Sequence, residues 1–213
     1  MILLVHGWGF DARLWDRVCA DLGDLPVRRV ELGFFGGDAD SAEDLLRENI
    51  ALAVGHSLGM LWLLHHGFGT RAPLLSVNGF PRFTEAGGFP GVPARNLAAL
   101  RHRCERDAPS TLQRFWQDCG AAPKIAPESA AKARLLEGLD WLRDWDERPA
   151  LSASGECAAL ASRDDGVVPA ALSTAAFAGR DLRCSEGGGH VLPLTAPALV
   201  AKAIRAQYEA VSA

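Results

Sequence analysis

The sequence predicts an α/β fold, with a mostly parallel central sheet flanked by helices and one helical insertion. Three observations carry the prediction. Short apolar runs at 1–5, 27–32, 50–55, 73–78, 156–161 and 181–185 read as strands. Helical patterns at 11–22, 41–48, 58–68, 169–178 and 195–211 fall between or after them, and such alternation implies right-handed crossovers between parallel strands. From 80 to 149 the alternation stops. A Gly/Pro-rich segment, Gly79 to Pro93, leads there into helical patterns at 94–106, 109–118 and 128–143. The expected organisation is therefore a core of 1–79 and 150–213 with a helical lid at 80–149. The lid would cover the carboxyl edge of the sheet, where such folds bind ligands.

Each bulk property narrows the class. The 213 residues are 48% hydrophobic and 23% charged, which suits one globular domain. A domain of that size buries roughly 70% of its unfolded surface and needs no disulfide or metal staple. The net charge of -4 argues against a nucleic-acid partner. Five cysteines, scattered and odd in number, read as free thiols in a reducing compartment. Met1 to Val5 is apolar but stops at His6 with no basic leader, so it reads as a buried strand rather than a signal peptide. No run approaches the ~18 apolar residues of a membrane helix. A cytoplasmic monomer without a membrane partner is the expectation.

Charge is unevenly spread. Residues 95–134 hold eight Lys/Arg (Arg95, Arg101, Arg103, Arg106, Arg114, Lys124, Lys132, Arg134) against four acids, so a basic insertion sits on an acidic body. Two readings stand: a surface that steers an anionic partner, or an ordinary solvated helical face.

The chemistry is concentrated in three places. Gly55-His56-Ser57-Leu58-Gly59 follows an apolar strand pattern and precedes an apolar helix pattern. That setting fits a nucleophile elbow, in which Ser57 occupies a strained turn and flanking glycines leave room for it. Serine needs a neighbouring base to attack. His190, in Gly187-Gly188-Gly189-His190, lies beyond the last expected strand and is the candidate. The acid should precede it, and Asp164 and Asp165 compete. Asp165 is favoured because it stands before Gly166 and four residues before Pro169, which can open the next helix. Negative charge on a reacting carbonyl oxygen needs preorganised N–H donors, each worth roughly 3–4 kcal/mol. Leu58, after the serine, and Trp8, in His6-Gly7-Trp8-Gly9, are best placed. The remaining histidines match no zinc spacing, so neither a metal nor a cofactor is expected.

Together these motifs resemble the α/β-hydrolase superfamily over nearly the whole chain. More narrowly, the sequence is similar to BioH-type pimeloyl-[acyl-carrier protein] methyl ester esterases of biotin synthesis. The closer likeness lies in Leu3 to Gly9 with Leu14-Trp15, in Phe80 to Phe83 and Phe89 to Val92, and in Leu112-Gln113-Arg114-Phe115. It extends through Glu137 to Leu142, Asp146, Arg148-Pro149 and Asp165 to Pro169. The resemblance implies a serine carboxylesterase with Ser57, Asp165 and His190 as its triad and Trp8 and Leu58 around the oxyanion. Phe115 would line an acyl tunnel, and Arg114 would belong to a basic surface facing an acyl carrier protein that presents the ester. The chain departs from the family at Glu31 to Gly37, which stands where Asp-x-x-Gly-x-Gly is usual, and at His56, often Trp. A generic short-chain carboxylesterase or thioesterase is the alternative enzyme, and a hydrolase-fold ligand-binding protein the alternative without catalysis.

Overall fold

A computed structural model describes residues 1–120 and 123–212; Ala121, Ala122 and Ala213 lie outside the described residues. In chain order the elements are β1 (Ile2–Val5), α1 (Asp16–Leu22), β2 (Val27–Val30), α2 (Ala42–Leu45), β3 (Leu52–His56), α3 (Leu58–His65) and β4 (Leu74–Val77). There follow α4 (Ala94–Arg106), α5 (Ala108–Asp118), α6 (Lys132–Asp144), α7 (Arg148–Ala153), β5 (Cys157–Ser162), α8 (Ala170–Ala176), β6 (Leu182–Ser185), α9 (Leu192–Thr195) and α10 (Pro197–Ser212). All six expected strands are present, within two residues of their expected limits. The 11–22 pattern begins as a 3-10 turn, Ala12–Trp15, before α1.

The sheet runs β2-β1-β3-β4-β5-β6 and every pairing is parallel. Central strands β1, β3, β4 and β5 are buried at every residue, as expected where helices cover both faces of a parallel sheet. The outer strands β2 and β6 carry arginines at exposed positions, Arg28, Arg29 and Arg183, which blunt the sheet's edges. Helix α3 is buried from Leu58 to Leu64, consistent with its lack of a polar face. Helix α10 packs on α1 and against β3, β4 and β5.

Parallel pairing puts all strand carboxyl ends on one edge. The order also reverses between β1 and β3, because β2 lies outside β1 before the chain returns to the other side. Ligands bind at such a switch point. The loops after β1, β3, β4, β5 and β6 all emerge along this edge.

Between β4 and β5 the described residues form helices joined by loops and no strand, with isolated bridges at Thr84–Val92 and Ala86–Phe89 in the entry segment. Helices α4, α5 and α6 fall within two residues of their expected starts, except that 127–129 is a separate 3-10 turn and α6 begins at Lys132. Asp107 caps α5 by accepting from the Ser110 N–H at 3.1 Å, with Pro109 in the first turn. The two ends of the segment are fastened together. Arg82 donates to Asp146 at 2.9 Å, Arg148 forms a two-pronged pair with the same carboxylate, and the Glu147 N–H donates to the Pro81 carbonyl. His65 adds a brace by stacking on Trp145 (3.7 Å between ring centres) and pairing with Glu147 at 2.7 Å.

Candidate active site

Ser57 follows β3 directly and has φ 54°, ψ -122°, a conformation costly for a residue with a side chain. Its neighbours explain the glycines. A Cβ on Gly55 would lie 2.4 Å from the Met60 nitrogen, and one on Gly59 would lie 2.4 Å from the Val5 carbonyl oxygen. Helix α3 therefore leaves the strand at a closeness that only glycine permits, and Ser57 is forced to the apex. Its residue is 7% exposed, open enough to be reached.

The three residues expected from the sequence meet there. The Ser57 hydroxyl lies 2.9 Å from His190 Nε2, and His190 Nδ1 lies 2.9 Å from Asp165 Oδ2. A carboxylate only accepts, so Nδ1–H donates to Asp165 and Nε2 is left to accept from the serine. Asp165 also accepts from the Val167 and Val168 N–H groups, both at 2.8 Å, and from the Asn78 side-chain amide at 2.6 Å. Burial pushes its carboxyl up, but the His190 charge and these donors outweigh burial and hold it below the usual carboxylate range. Asp164 has a different task. It faces solvent, accepts from Ser162 and from the Gly189 N–H at 2.9 Å, and so braces the loop that carries His190.

Three neighbours had no assigned role in the sequence. Asn78 has φ 50°, and its amide joins Asp165 to the Gly189 carbonyl at 3.2 Å. The Asn78-Gly79 pair closing β4 is the signal that could have found it, because Asn tolerates left-handed backbone. His56 is fully buried, and its Nε2–H donates to the His190 carbonyl at 2.9 Å. Burial, reinforced by nearby His190, lowers its pKa to about 3, so the ring is neutral in ordinary buffers. Glu31 occupies the departure noted after β2. It lies 3.1 Å from His6 Nε2 and accepts from the Ala12 and Gly33 N–H groups at 3.2 and 3.0 Å. His6 Nδ1–H in turn donates to the Gly7 carbonyl at 3.0 Å. That carbonyl shares a planar peptide unit with the Trp8 N–H, so holding one end aims the other.

Trp8 and Leu58 flank the serine from the β1 loop and the first turn of α3. Their N–H groups donate to no acceptor among the described residues, as is usual for the opening N–H of a helix. A cavity of about 410 Å³ opens from Ser57 and Trp8 along Phe115, Leu97, Phe80 and Val167. Phe115 sits edge-on to Trp8, with ring centres 4.9 Å apart. Arg103 and Arg114 also line this cavity, and with Arg106 they line a second depression of about 310 Å³ beside it. None of the three arginines forms an ion pair among the described residues, whereas Arg101 and Arg134 are held by Asp140 and Glu137. Of the expected site residues Ser57, Trp8, Arg114 and Phe115 line this cavity, whereas Asp165, His190 and Leu58 do not and stand behind the serine. Among the described residues no cluster of three or more His, Cys, Asp or Glu is placed to hold a metal ion.

A six-stranded parallel sheet with a serine at a strained strand–helix turn defines an α/β hydrolase, and residues 2–203 match the alpha/beta hydrolase family. The chain belongs to that family and is by class a carboxylic ester hydrolase. It is similar to the pimeloyl-[acyl-carrier protein] methyl ester esterase of Vibrio cholerae, 28% identical over 205 residues that cover 81% of this chain and 78% of the relative. Among solved structures, an esterase from Exiguobacterium antarcticum matches with a TM-score of 0.83 at 19% identity, covering 98% of this chain and 91% of that one. A bromoperoxidase from Bacillus anthracis matches with 0.81 at 17% identity and the same coverage. Likeness at such identities establishes the shared fold. No helix among the described residues is long and apolar enough to cross a membrane.

Proposed function

We propose that the protein hydrolyses a carboxylic ester by two-step acyl transfer through Ser57, His190 and Asp165, and that its substrate is a pimeloyl-[acyl-carrier protein] methyl ester. The observation that carries the first half is the unbroken hydrogen-bonded chain from the Ser57 hydroxyl through His190 to Asp165. In the first step His190 Nε2 takes the serine proton as Oγ attacks the ester carbonyl. Asp165 stabilises the resulting imidazolium and holds the ring in the right tautomer. The oxyanion is received by the Trp8 and Leu58 N–H groups, which carry no competing acceptor. His190 then gives its proton to the departing alcohol, and a water repeats the sequence on the acyl-enzyme.

Support for the finer substrate comes from the cavity and the relatives. An apolar passage with Phe115 on its wall suits an alkyl acyl chain, and the unpaired Arg103, Arg106 and Arg114 at its mouth suit an acidic carrier. The helical segment 80–149 then serves as a lid that builds the acyl passage. Curated relatives carrying this substrate in their names are 26–28% identical. The test is the rate on the carrier-linked methyl ester against a panel of free methyl, aryl and thioesters. Carrier dependence, and rescue of biotin-independent growth in a strain lacking the pimeloyl methyl ester esterase, support the substrate. Equal rates on free short esters would leave a general carboxylesterase.

A further inference from the structure

We propose that Trp116 is a positioning residue for the oxyanion loop, through which helix α5 holds the donor side of the catalytic centre in register with the histidine side. The inference rests on the serine-esterase reading above. Trp116 is 3% exposed, and its indole N–H donates to the Gly9 carbonyl at 2.8 Å in a buried contact. Gly9 directly follows Trp8, whose N–H receives the oxyanion. Gly9 has φ +72°, and a glycine there has several backbone basins open to it, so the loop needs a tether to keep one shape. The approach is close: a Cβ on Gly9 would stand 3.0 Å from Leu112 and 3.4 Å from Phe115, both on α5.

The same helix reaches the other half of the machinery. Past its carboxyl end, the Cys119 carbonyl accepts the His190 N–H at 3.2 Å, and a Cβ on Gly189 would lie 2.9 Å from that oxygen. Between the two contacts the Phe115 ring lies 6.5 Å from the His190 ring. The oxyanion loop is thus gripped from the sheet side by His6 on the Gly7 carbonyl and from the helical side by Trp116 on the Gly9 carbonyl. A second link, the Trp8 indole N–H to the Leu135 carbonyl at 2.8 Å, ties the loop to α6. Losing the Trp116 donor leaves a buried carbonyl unpaired and frees the loop to tilt its donor away from the developing charge.

The test separates this hydrogen bond from simple packing, since the indole also stacks on Phe35 with ring centres 6.1 Å apart. Trp116→Phe removes the N–H and keeps an aromatic ring; Phe35→Leu removes the stacking partner and keeps the N–H. Both full-length variants are compared with wild type for kcat, KM and Tm. They are also compared for inhibition by a trifluoromethyl ketone, which forms an oxyanion on the serine, and by a free carboxylic acid, which does not. Trp116→Phe is expected to lower kcat about tenfold and weaken the ketone by a similar factor, with KM and acid binding changed less than about twofold. Phe35→Leu is expected to keep wild-type kcat. A folded Trp116→Phe with wild-type kcat and ketone affinity overturns the proposal, as does an equal kcat loss in Phe35→Leu at an equal fall in Tm. A wild type that neither hydrolyses esters nor takes up the ketone removes the esterase reading itself, and this inference with it.

Discussion

The sheet edge and the helical segment above it are built on different principles. At the edge, position is fixed by backbone closeness. Gly55 and Gly59 let α3 press against β3 and β1, and Asp165 is held by two backbone N–H groups besides His190. In the helical segment, position is fixed by side chains. The apolar faces of α4, α5 and α6 bury Leu97, Leu112, Trp116, Leu135 and Leu139, while the outer faces carry ion pairs such as Arg101 with Asp140. Solvated pairs of that kind add little to stability and are readily exchanged. The lesson is a division of labour. On the proposed function the edge supplies the groups that break the bond, while the helical segment shapes what is admitted and, through Trp116, steadies the oxyanion loop.

The sharpest test of that division compares adjacent aspartates on the edge. Asp165→Asn should lower kcat by about 10³–10⁴-fold, because the amide no longer holds His190 in the accepting tautomer. Asp164→Asn should cost about tenfold or less, since Asp164 only braces the loop. Steady-state kinetics on one ester decides it, and equal losses would break the assignment.

A second test concerns acid. His56 is neutral in the fold down to about pH 3, while in the unfolded chain it takes a proton near 6.5. Between those values the unfolded state binds the extra proton, so stability falls as pH falls, by a total on the order of 5 kcal/mol. Asp165 adds to the loss only at lower pH, as its depressed folded pKa is approached. His56→Gln should therefore flatten the stability profile between pH 6 and 5, by up to about 1.4 kcal/mol per unit, in urea titrations. Parallel profiles for the two proteins would count against a buried neutral ring.

Gly59→Ala comes next. Its Cβ would meet the Val5 carbonyl at 2.4 Å, and the backbone must shift, at a cost of about 2 kcal/mol or more in thermal or urea unfolding. The smallest effect belongs to the helical segment. Arg103→Glu with Arg114→Glu should raise KM about tenfold for a carrier-linked ester while leaving kcat and uncharged esters within about twofold. A fall in kcat on every ester would erase the distinction between the two regions.

Much of the edge was legible in the sequence because its constraints are local. A strand, two glycines around a serine and a helix specify one turn, and the acid and histidine then follow in the expected chain order. Asp165 was separable from Asp164 by Gly166 and Pro169 for the same reason. What lay hidden was pairwise and distant. The basic count at 95–134 did not reveal that Arg101 and Arg134 are neutralised by Asp140 and Glu137 while Arg103 and Arg114 face the cavity. Nothing local in the sequence singled out Trp116, since its partner at Gly9 is 107 residues away. Helix α7 was missed although Pro149 sits in its first turn, because Arg148-Pro149 read as the end of the insertion.

The most direct measurement is intact-protein mass after brief exposure to a fluorophosphonate, which bonds only to an activated hydroxyl. Wild type should gain one adduct, mapped to the peptide containing Ser57. Ser57→Ala, folded with an unchanged Tm, should gain none and lose ester hydrolysis by about 10⁴–10⁶-fold. An adduct on another residue, or near-normal hydrolysis by folded Ser57→Ala, would contradict the assignment of the serine as the attacking group.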